Sequence, residues 1–453
     1  MFLEGGPERK DPIASYSRYK SEDVDVAPLG RPIRFAFAQK EAPNRFLKAA
    51  MSERLASWSP QQLNLRGIVS PELINLYRRW GESKLGLILT GNIMVAYDHL
   101  EAPGNPVIDV NDQFSGVRFE AFQELARETR KHGSLLIGQV SHPGRQVPEV
   151  INPNPISASA GQLEGEVLKM RFGKPRAASI EEIRSIVEAF THAAEYLYMA
   201  GFDGIQHHGA HGYLLSQFIS LDTNHPTDSY GGSFQNRARI VLEIAQSVRT
   251  RLGKVANFVI GIKLNSVEFQ KSGKGITPDE CRELCTILET QGQFDFVELS
   301  GGTYEHVGWE HKRESTMKRE AFFLEFAEAI PPRLSKTKVY VTGGFISAGG
   351  MVRALDSVDG IGLGKPVCQE PSLAADILAG KVTGSIVSKI DQNNFQLTIL
   401  AAGTQLWQVG NGISPSNFED EKEVKRFLLA LETFEKQRQS DTERNLYGFV
   451  NFR

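Results

Sequence analysis

Short apolar runs alternate along this chain with longer stretches in which apolar residues recur at three- and four-residue steps. The short runs fall at residues 45–51, 85–90, 134–140, 203–208, 258–264, 294–300, 338–342 and 360–364. Such alternation marks parallel strands buried on both faces and joined by crossover helices. Eight of them predict an α/β protein built on a single closed (β/α)8 TIM barrel. Helix starts are legible between the runs. Ser70-Pro71-Glu72 sets a capping hydroxyl before a proline, and Thr277-Pro278-Asp279-Glu280 adds a glutamate three residues past its cap. Over residues 179–200, Ile183, Ile186, Val187, Phe190, Ala194 and Leu197 form one stripe, while Glu181, Arg184 and Glu188 fall on the other side. That is an outer barrel helix. Residues 144–175, rich in Pro, Asn, Ser and Gly, have no period and predict a long loop over the top of the barrel. The expected organisation is an N-terminal extension at 1–30, the barrel at 31–380 and a helical C-terminal extension at 381–453 packed on or beside it. Residues 418–439 read as an exposed charged helix.

Composition narrows the function. In 453 residues, 51 Lys and Arg stand against 54 Asp and Glu, a net charge of -3 that offers no basic field for nucleic acid or an anionic membrane. A small-molecule substrate is the expectation, with homo-oligomer formation left open. Three cysteines, Cys281, Cys285 and Cys368, are too few for a disulfide framework or an iron–sulfur cluster. Cys281 and Cys285, four apart beside Leu284 and Leu288, read as buried fillers. No stretch reaches the roughly 18 apolar residues that a membrane span needs, and the N-terminal apolar run breaks after two residues. The cytoplasm is the expected location.

The chemistry concentrates in the run from Gly201 through His207-His208-Gly209-Ala210-His211-Gly212-Tyr213, where a strand ends in a polar cluster. The carboxyl ends of barrel strands are where active sites form. His208, His211 and Tyr213 can converge there on one small acceptor. Two imidazoles can donate to a carbonyl oxygen and draw electrons from a conjugated double bond, while a phenol supplies a proton. A metal site at His207 and His211 is the rival, but their four-residue spacing selects one face only in a helix. On a strand His207 and His208 point to opposite faces. No metal is expected. After the seventh and eighth runs come Gly343-Gly344 and Gly362-Leu363-Gly364-Lys365, glycine-flanked turns where barrels commonly hold phosphate on backbone amides.

The His208 run resembles the signature of the old yellow enzyme family, flavoproteins that pass hydride from a nicotinamide cofactor to activated alkenes, and the resemblance extends from about Asn44 to Pro366. It implies a non-covalently bound FMN, NADPH or NADH as reductant, and an α,β-unsaturated carbonyl as substrate. By that resemblance His208 and His211 bind the substrate carbonyl and Tyr213 is the proton donor. Ala50, Met51 and Ser52 lie against the flavin, with Ser52, where Thr or Cys is usual, donating to its O4. Asn92 contacts it through the backbone, Gln139 pairs with its pyrimidine edge and Lys263 faces N1 and O2. Gly343, Gly344, Gly364 and Lys365 hold the phosphate, with Lys365 in place of the usual arginine. Gln206 and His207 depart from the commoner Glu and aliphatic residue, and Arg237 reads as structural. Two other readings stay open from the residues alone: a flavin- or ligand-binding barrel without turnover, and a metal or Schiff-base lyase.

Overall fold

The computed structural model describes residues 16–166, 170–253, 257–265, 276–301 and 334–452. Its centre is a closed barrel of eight parallel strands: β1 (Phe46–Lys48), β2 (Leu87–Met94), β3 (Leu135–Ser141), β4 (Gly204–Gly209), β5 (Val259–Asn265), β6 (Phe296–Ser300), β7 (Lys338–Thr342) and β8 (Gly360–Leu363). Each lies in or overlaps one of the eight apolar runs. The (β/α)8 expectation therefore holds. Strand β8 closes the barrel on β1 through Ile361↔Phe46, Gly362↔Leu47 and Leu363↔Lys48.

Two strand ends differ most from the sequence reading, for visible reasons. Strand β1 stops at Lys48, because Ala49 N–H makes a last bond to Leu363 O (2.9 Å) before Ala50, Met51 and Ser52 leave the ladder. Strand β2 runs on to Met94, with a register shift between Leu89 and Asn92 that lets it bend without ending.

Leu47, Ala49, Leu87, Leu89, Ile137, Val259, Phe296 and Tyr340 fill the lower barrel interior. The alternate residues, such as Ile88, Leu136, Ile205, Ile262 and Val297, pack outward against the helices. That two-sided burial is why the runs show no strict alternation. An antiparallel hairpin, Ile33–Phe35 with Lys40–Ala42, lies outside the eight runs and plugs the base with Phe35, Ala38 and Ala42. Asp295 holds it: the buried carboxylate accepts from Phe37 N (3.1 Å), Ala38 N (2.8 Å) and Ile260 N (3.0 Å).

The outer helices include α1 (Pro71–Glu82), α2 (Gly116–Arg130), α3 (Ile180–Met199), α4 (Leu214–Ile219), α5 (Phe234–Leu252) and α6 (Pro278–Ile287). Ser70 caps α1, and the predicted box at Thr277 and Glu280 forms at α6. A second box, Ser179 with Glu182, opens α3, which buries Ile183, Ile186, Phe190 and Leu197 as expected. Cys281 and Cys285 are buried free thiols on α6. Arg237 ties the Ile219 carbonyl at the end of α4 to Glu280 at the start of α6.

Beyond the barrel, α7 (Phe395–Gly410) packs on α1, whose Asn75 amide donates to Val409 O (3.1 Å) and Gly410 O (2.9 Å). Helix α8 (Glu421–Ser440) corrects the expectation of a wholly exposed charged helix. Phe427 and Phe434, seven residues apart, share one face and are buried with Ile390, Phe418 and Val450 in a small separate core.

Replacing Asp295 with Ala strands three N–H groups in a dry position, at about 1–3 kcal/mol each before relaxation. Urea denaturation is expected to show Asp295→Ala destabilised by several kcal/mol, and an unchanged midpoint would show that the hairpin does not depend on this carboxylate.

Candidate active site

The upper half of the barrel interior is polar. On β4, Gln206 and His208 point inward, whereas His207 points out and stacks on Phe190 (6.1 Å between centroids, 11° between planes) with Phe294 at its edge. His207 and His211 are thereby separated by the sheet and share no ligand. The chain then turns at His211, a non-glycine residue with φ of 57°. Backbone held in that region is unfavourable unless its surroundings enforce it. Here the His211 N–H donates to Asn265 Oδ1 (3.2 Å) and its Nε2 meets Ser300 Oγ (2.9 Å). Tyr213 follows as the N-cap residue of α4.

This turn brings the three rings together: His208 and His211 lie 5.2 Å apart and His208 and Tyr213 4.2 Å apart, centroid to centroid. His208 Nδ1 accepts from Ala210 N (3.4 Å), so the neutral ring carries its proton on Nε2. Burial, the His211 ring and Lys263 together hold His208 well below the usual histidine range. Burial and Lys263 push His211 down to about 3. Both are neutral hydrogen-bonding groups at physiological pH.

Asn92 reaches the same place from β2. The bulge before it is anchored from behind, where Gly91 N donates to Glu53 Oε1 (2.8 Å) and a Cβ on Gly91 would lie 2.2 Å from Glu53 Oε2. Asn92 Nδ2 donates to Tyr213 Oη (3.4 Å), Ser52 Oγ (3.2 Å) and Glu101 Oε2 (3.0 Å). Its Oδ1 is buried with no donor among the described residues. Ser52 donates to Glu101, which also accepts from Asn105 (3.3 Å) and pairs with Arg54 (3.2 Å). Burial alone would raise the Glu101 carboxyl; Arg54 and the bonds from Ser52, Asn92 and Asn105 outweigh it and hold the group ionised.

Below the rings runs a chain of buried side chains that ends at the half-buried Thr342. Gln139 Nε2 donates to Gln206 Oε1 (2.7 Å), Gln206 Nε2 to Glu298 Oε2 (2.7 Å), and Thr342 Oγ1 to Glu298 Oε1 (2.6 Å). Lys263 completes it, 3.1 Å from Glu298.

At the far side, Gly343 and Gly344 adopt φ of 142° and 79°, a backbone that only glycine takes readily. Gly364 sits 3.9 Å, by its would-be Cβ, from Met51 Sδ, which also meets Cys368 Sγ (3.4 Å). Lys365 reaches Thr398 Oγ1 (3.2 Å) on α7. Ala50 packs against the inner core just below. Every residue named from the sequence therefore lies at the carboxyl end of the barrel strands. The donor set suits a flavin mononucleotide: an amide, a cation, an orphaned buried acceptor on Asn92, and glycine turns at the strands where phosphate binds.

A family model for the NADH:flavin oxidoreductase / NADH oxidase family matches residues 28–380. The chain belongs to that family. It is 49% identical over 420 residues to the NADH-dependent flavin oxidoreductase nadA of Aspergillus parasiticus, covering 92% of this chain and 94% of that protein. Among solved structures, morphinone reductase superposes with a TM-score of 0.62 at 22% identity, covering 82% of this chain and 92% of its own. A 2-naphthoyl-CoA reductase does so at 0.69 and 20%, over 83% of this chain but 58% of the larger protein. This family member is thus an FMN-dependent NADH:flavin oxidoreductase. No described helix is long and apolar enough to cross a membrane.

Sequence reasoning passed over Glu101 and Glu298. Glu298 had a signal, since a carboxylate inside a run as apolar as Phe296-Val297-Glu298-Leu299 is rarely buried without a partner. Glu101 lies in an irregular segment and had none.

His207 has both ring nitrogens buried without partners among the described residues, and burial lowers it to about 3. An unfolded histidine titrates near ~6.5, so nothing is lost above that pH. Between there and 3 the unfolded chain takes up a proton that the folded one refuses, costing up to about 1.4 kcal/mol per pH unit. His207→Leu is expected to raise the melting temperature, and to raise it more at pH 5 than at pH 7.5. Equal gains at the two pH values would show that His207 is not held neutral.

Proposed function

We propose that this protein reduces the activated C=C bond of α,β-unsaturated carbonyl compounds, with NADH as reductant, His208 and His211 holding the carbonyl oxygen and Tyr213 delivering the proton. The observation that carries the reading is the packing of two neutral imidazoles and a phenol around one point at the end of β4, with His208 and Tyr213 each only 4% exposed. Bound FMN supplies hydride, taken from the nicotinamide and passed to the alkene. The names of relatives as NADH-dependent flavin oxidoreductases support NADH.

The chain's own residues do the rest. Neutral imidazoles polarise a carbonyl oxygen by hydrogen bonding without protonating it, and exclusion of water strengthens each bond. As charge builds on the oxygen, the electron-poor β-carbon becomes the hydride acceptor and the α-carbon the basic one. Tyr213 then gives its proton to the α-carbon. The Asn92 amide donating to Tyr213 Oη stabilises the negative charge left on that oxygen. Lys263 and Gln139 would hold the cofactor's ring, and the turns at Gly343, Gly344, Gly364 and Lys365 its phosphate.

Tyr213→Phe is expected to separate the half-reactions in stopped-flow measurements. Cofactor reduction by NADH needs no acid at the substrate and keeps its rate, whereas enone reduction slows by about 10² to 10⁴, the usual contribution of a positioned acid. Equal slowing of both would make Tyr213 a structural residue of the turn.

Replacing both His208 and His211 with Ala is expected to weaken phenolic ligands by about 0.5–1.5 kcal/mol per lost bond while FMN stays bound. Because both rings are neutral well below pH 6, the wild-type affinity for an uncharged enone should show no inflection from them between about pH 5 and 8. An inflection near pH 6.5 that the double variant abolishes would contradict the assignment.

A further inference from the structure

Glu298 is the one carboxylate in contact with Lys263 among the described residues, and it is buried, as are Gln206 and Gln139. Strand β6 turns Phe296, Glu298 and Ser300 to the same side, so Glu298 sits one layer above the apolar floor and one below the His211 contact at Ser300. Three groups donate to it: Lys263 Nζ, Thr342 Oγ1 and Gln206 Nε2. An ionised carboxylate only accepts. It therefore fixes the direction of every bond in the chain. Gln206 must present its NH2 to Glu298 and its oxygen to Gln139; Gln139 must present its NH2 to Gln206.

We propose that Glu298 is a positioning residue for the flavin's pyrimidine edge, neutralising Lys263 on one side and setting the amide of Gln139 on the other through Gln206. This rests on Gln139 and Lys263 as the flavin contacts. The commoner residue of the resembling family at position 206 is Glu; in this chain that position is an amide and the carboxylate stands instead on β6, beyond β5. The interior thus holds one negative charge against Lys263, supplied from a different strand.

The consequence is electrostatic. A two-electron-reduced flavin carries negative charge near N1, which an unmasked lysine stabilises. Glu298 masks it, and so makes the bound cofactor harder to reduce and a stronger hydride donor.

The test is the midpoint potential of the bound FMN, read by dye equilibration on the purified holoprotein with no substrate turnover. Glu298→Gln keeps the shape and removes the charge. It is expected to shift the reduction equilibrium at least tenfold toward reduced FMN, about 30 mV for a two-electron couple. Lys263→Met is expected to shift it the opposite way, and Glu298→Gln is expected to shift it less in the Lys263→Met background than in the wild type. Gln206→Glu with Glu298→Gln moves the carboxylate from β6 across β5 to β4 and is expected to restore the wild-type potential. That double variant also serves if Glu298→Gln alone fails to retain FMN. A Lys263→Met potential equal to wild type would overturn the flavin contact and the proposal with it. A shifted Lys263→Met beside an unshifted Glu298→Gln would overturn the role of Glu298 alone and leave the ene-reductase reading standing.

Discussion

Eight parallel strands close into a barrel here because β8 finds β1, and β1 offers only three residues, Phe46–Lys48, for pairing on both of its edges. So short a strand cannot hold the seam by ladder bonds alone. Lys48 reinforces it from outside: its buried ammonium donates to Leu89 O on β2 (2.8 Å) and lies 4.1 Å from the Trp80 ring centroid. Trp80 in turn donates to Val367 O just past β8 (2.9 Å). One lysine and one indole thus join β1, β2 and the end of β8. Burial lowers Lys48 to about 8, with Glu53 partly opposing it, so the cation persists at neutral pH in a position that demands these partners. Everything the site uses from the first two strands, from Ala50 to Ser52 and Asn92, starts within a few residues of this seam.

Closure also imposes a vertical order. In a parallel barrel all carboxyl ends share one face, so side chains two residues apart on each strand form successive layers. The lower layer, with Ile137, Val259, Phe296 and Tyr340, is apolar and sealed below by the hairpin on Asp295. The next, with Gln139, Gln206, Glu298 and Thr342, is polar, and Lys263, His208 and Ser300 stand higher. A dry floor under a polar layer raises the worth of each bond above it, and it is why burial dominates the depressed basicity of His208 and His211.

The sequence displayed the parts of this that follow from periodicity and from caps. Eight runs gave eight strands, and the box at Thr277 formed where spacing placed it. Side-chain direction along β4 was legible too, since strand alternation alone separates His207 from His208. What escaped depends on contacts between residues far apart in the chain. On α8 Val424, Phe427, Leu431 and Phe434 recur at three- and four-residue steps, a stripe the sequence carried, but the partners that bury it, Phe418 and Val450, come from outside the helix. Glu101 and Glu298 are anchored by residues 4 to 92 positions away, most of them beyond the reach of any local pattern.

Ser52 shows how such a distant partner changes the chemistry of a residue that the sequence did identify. A hydroxyl at this position was expected to donate to flavin O4. Its single proton goes instead to Glu101, which Arg54 keeps ionised and which can only accept. Asn92 donates to the serine oxygen from the other side. On the proposed placement of the cofactor, Ser52 gives its proton to the flavin only by withdrawing it from a carboxylate, so its donation is weaker than that of a hydroxyl without a rival acceptor. Glu101 at one end of the ring and Glu298 at the other then act in the same sense. Each takes up a donor or a cation that would otherwise stabilise the electron-rich form of the cofactor, and a cofactor less stabilised in that form gives up its hydride more readily to a carbonyl-activated alkene.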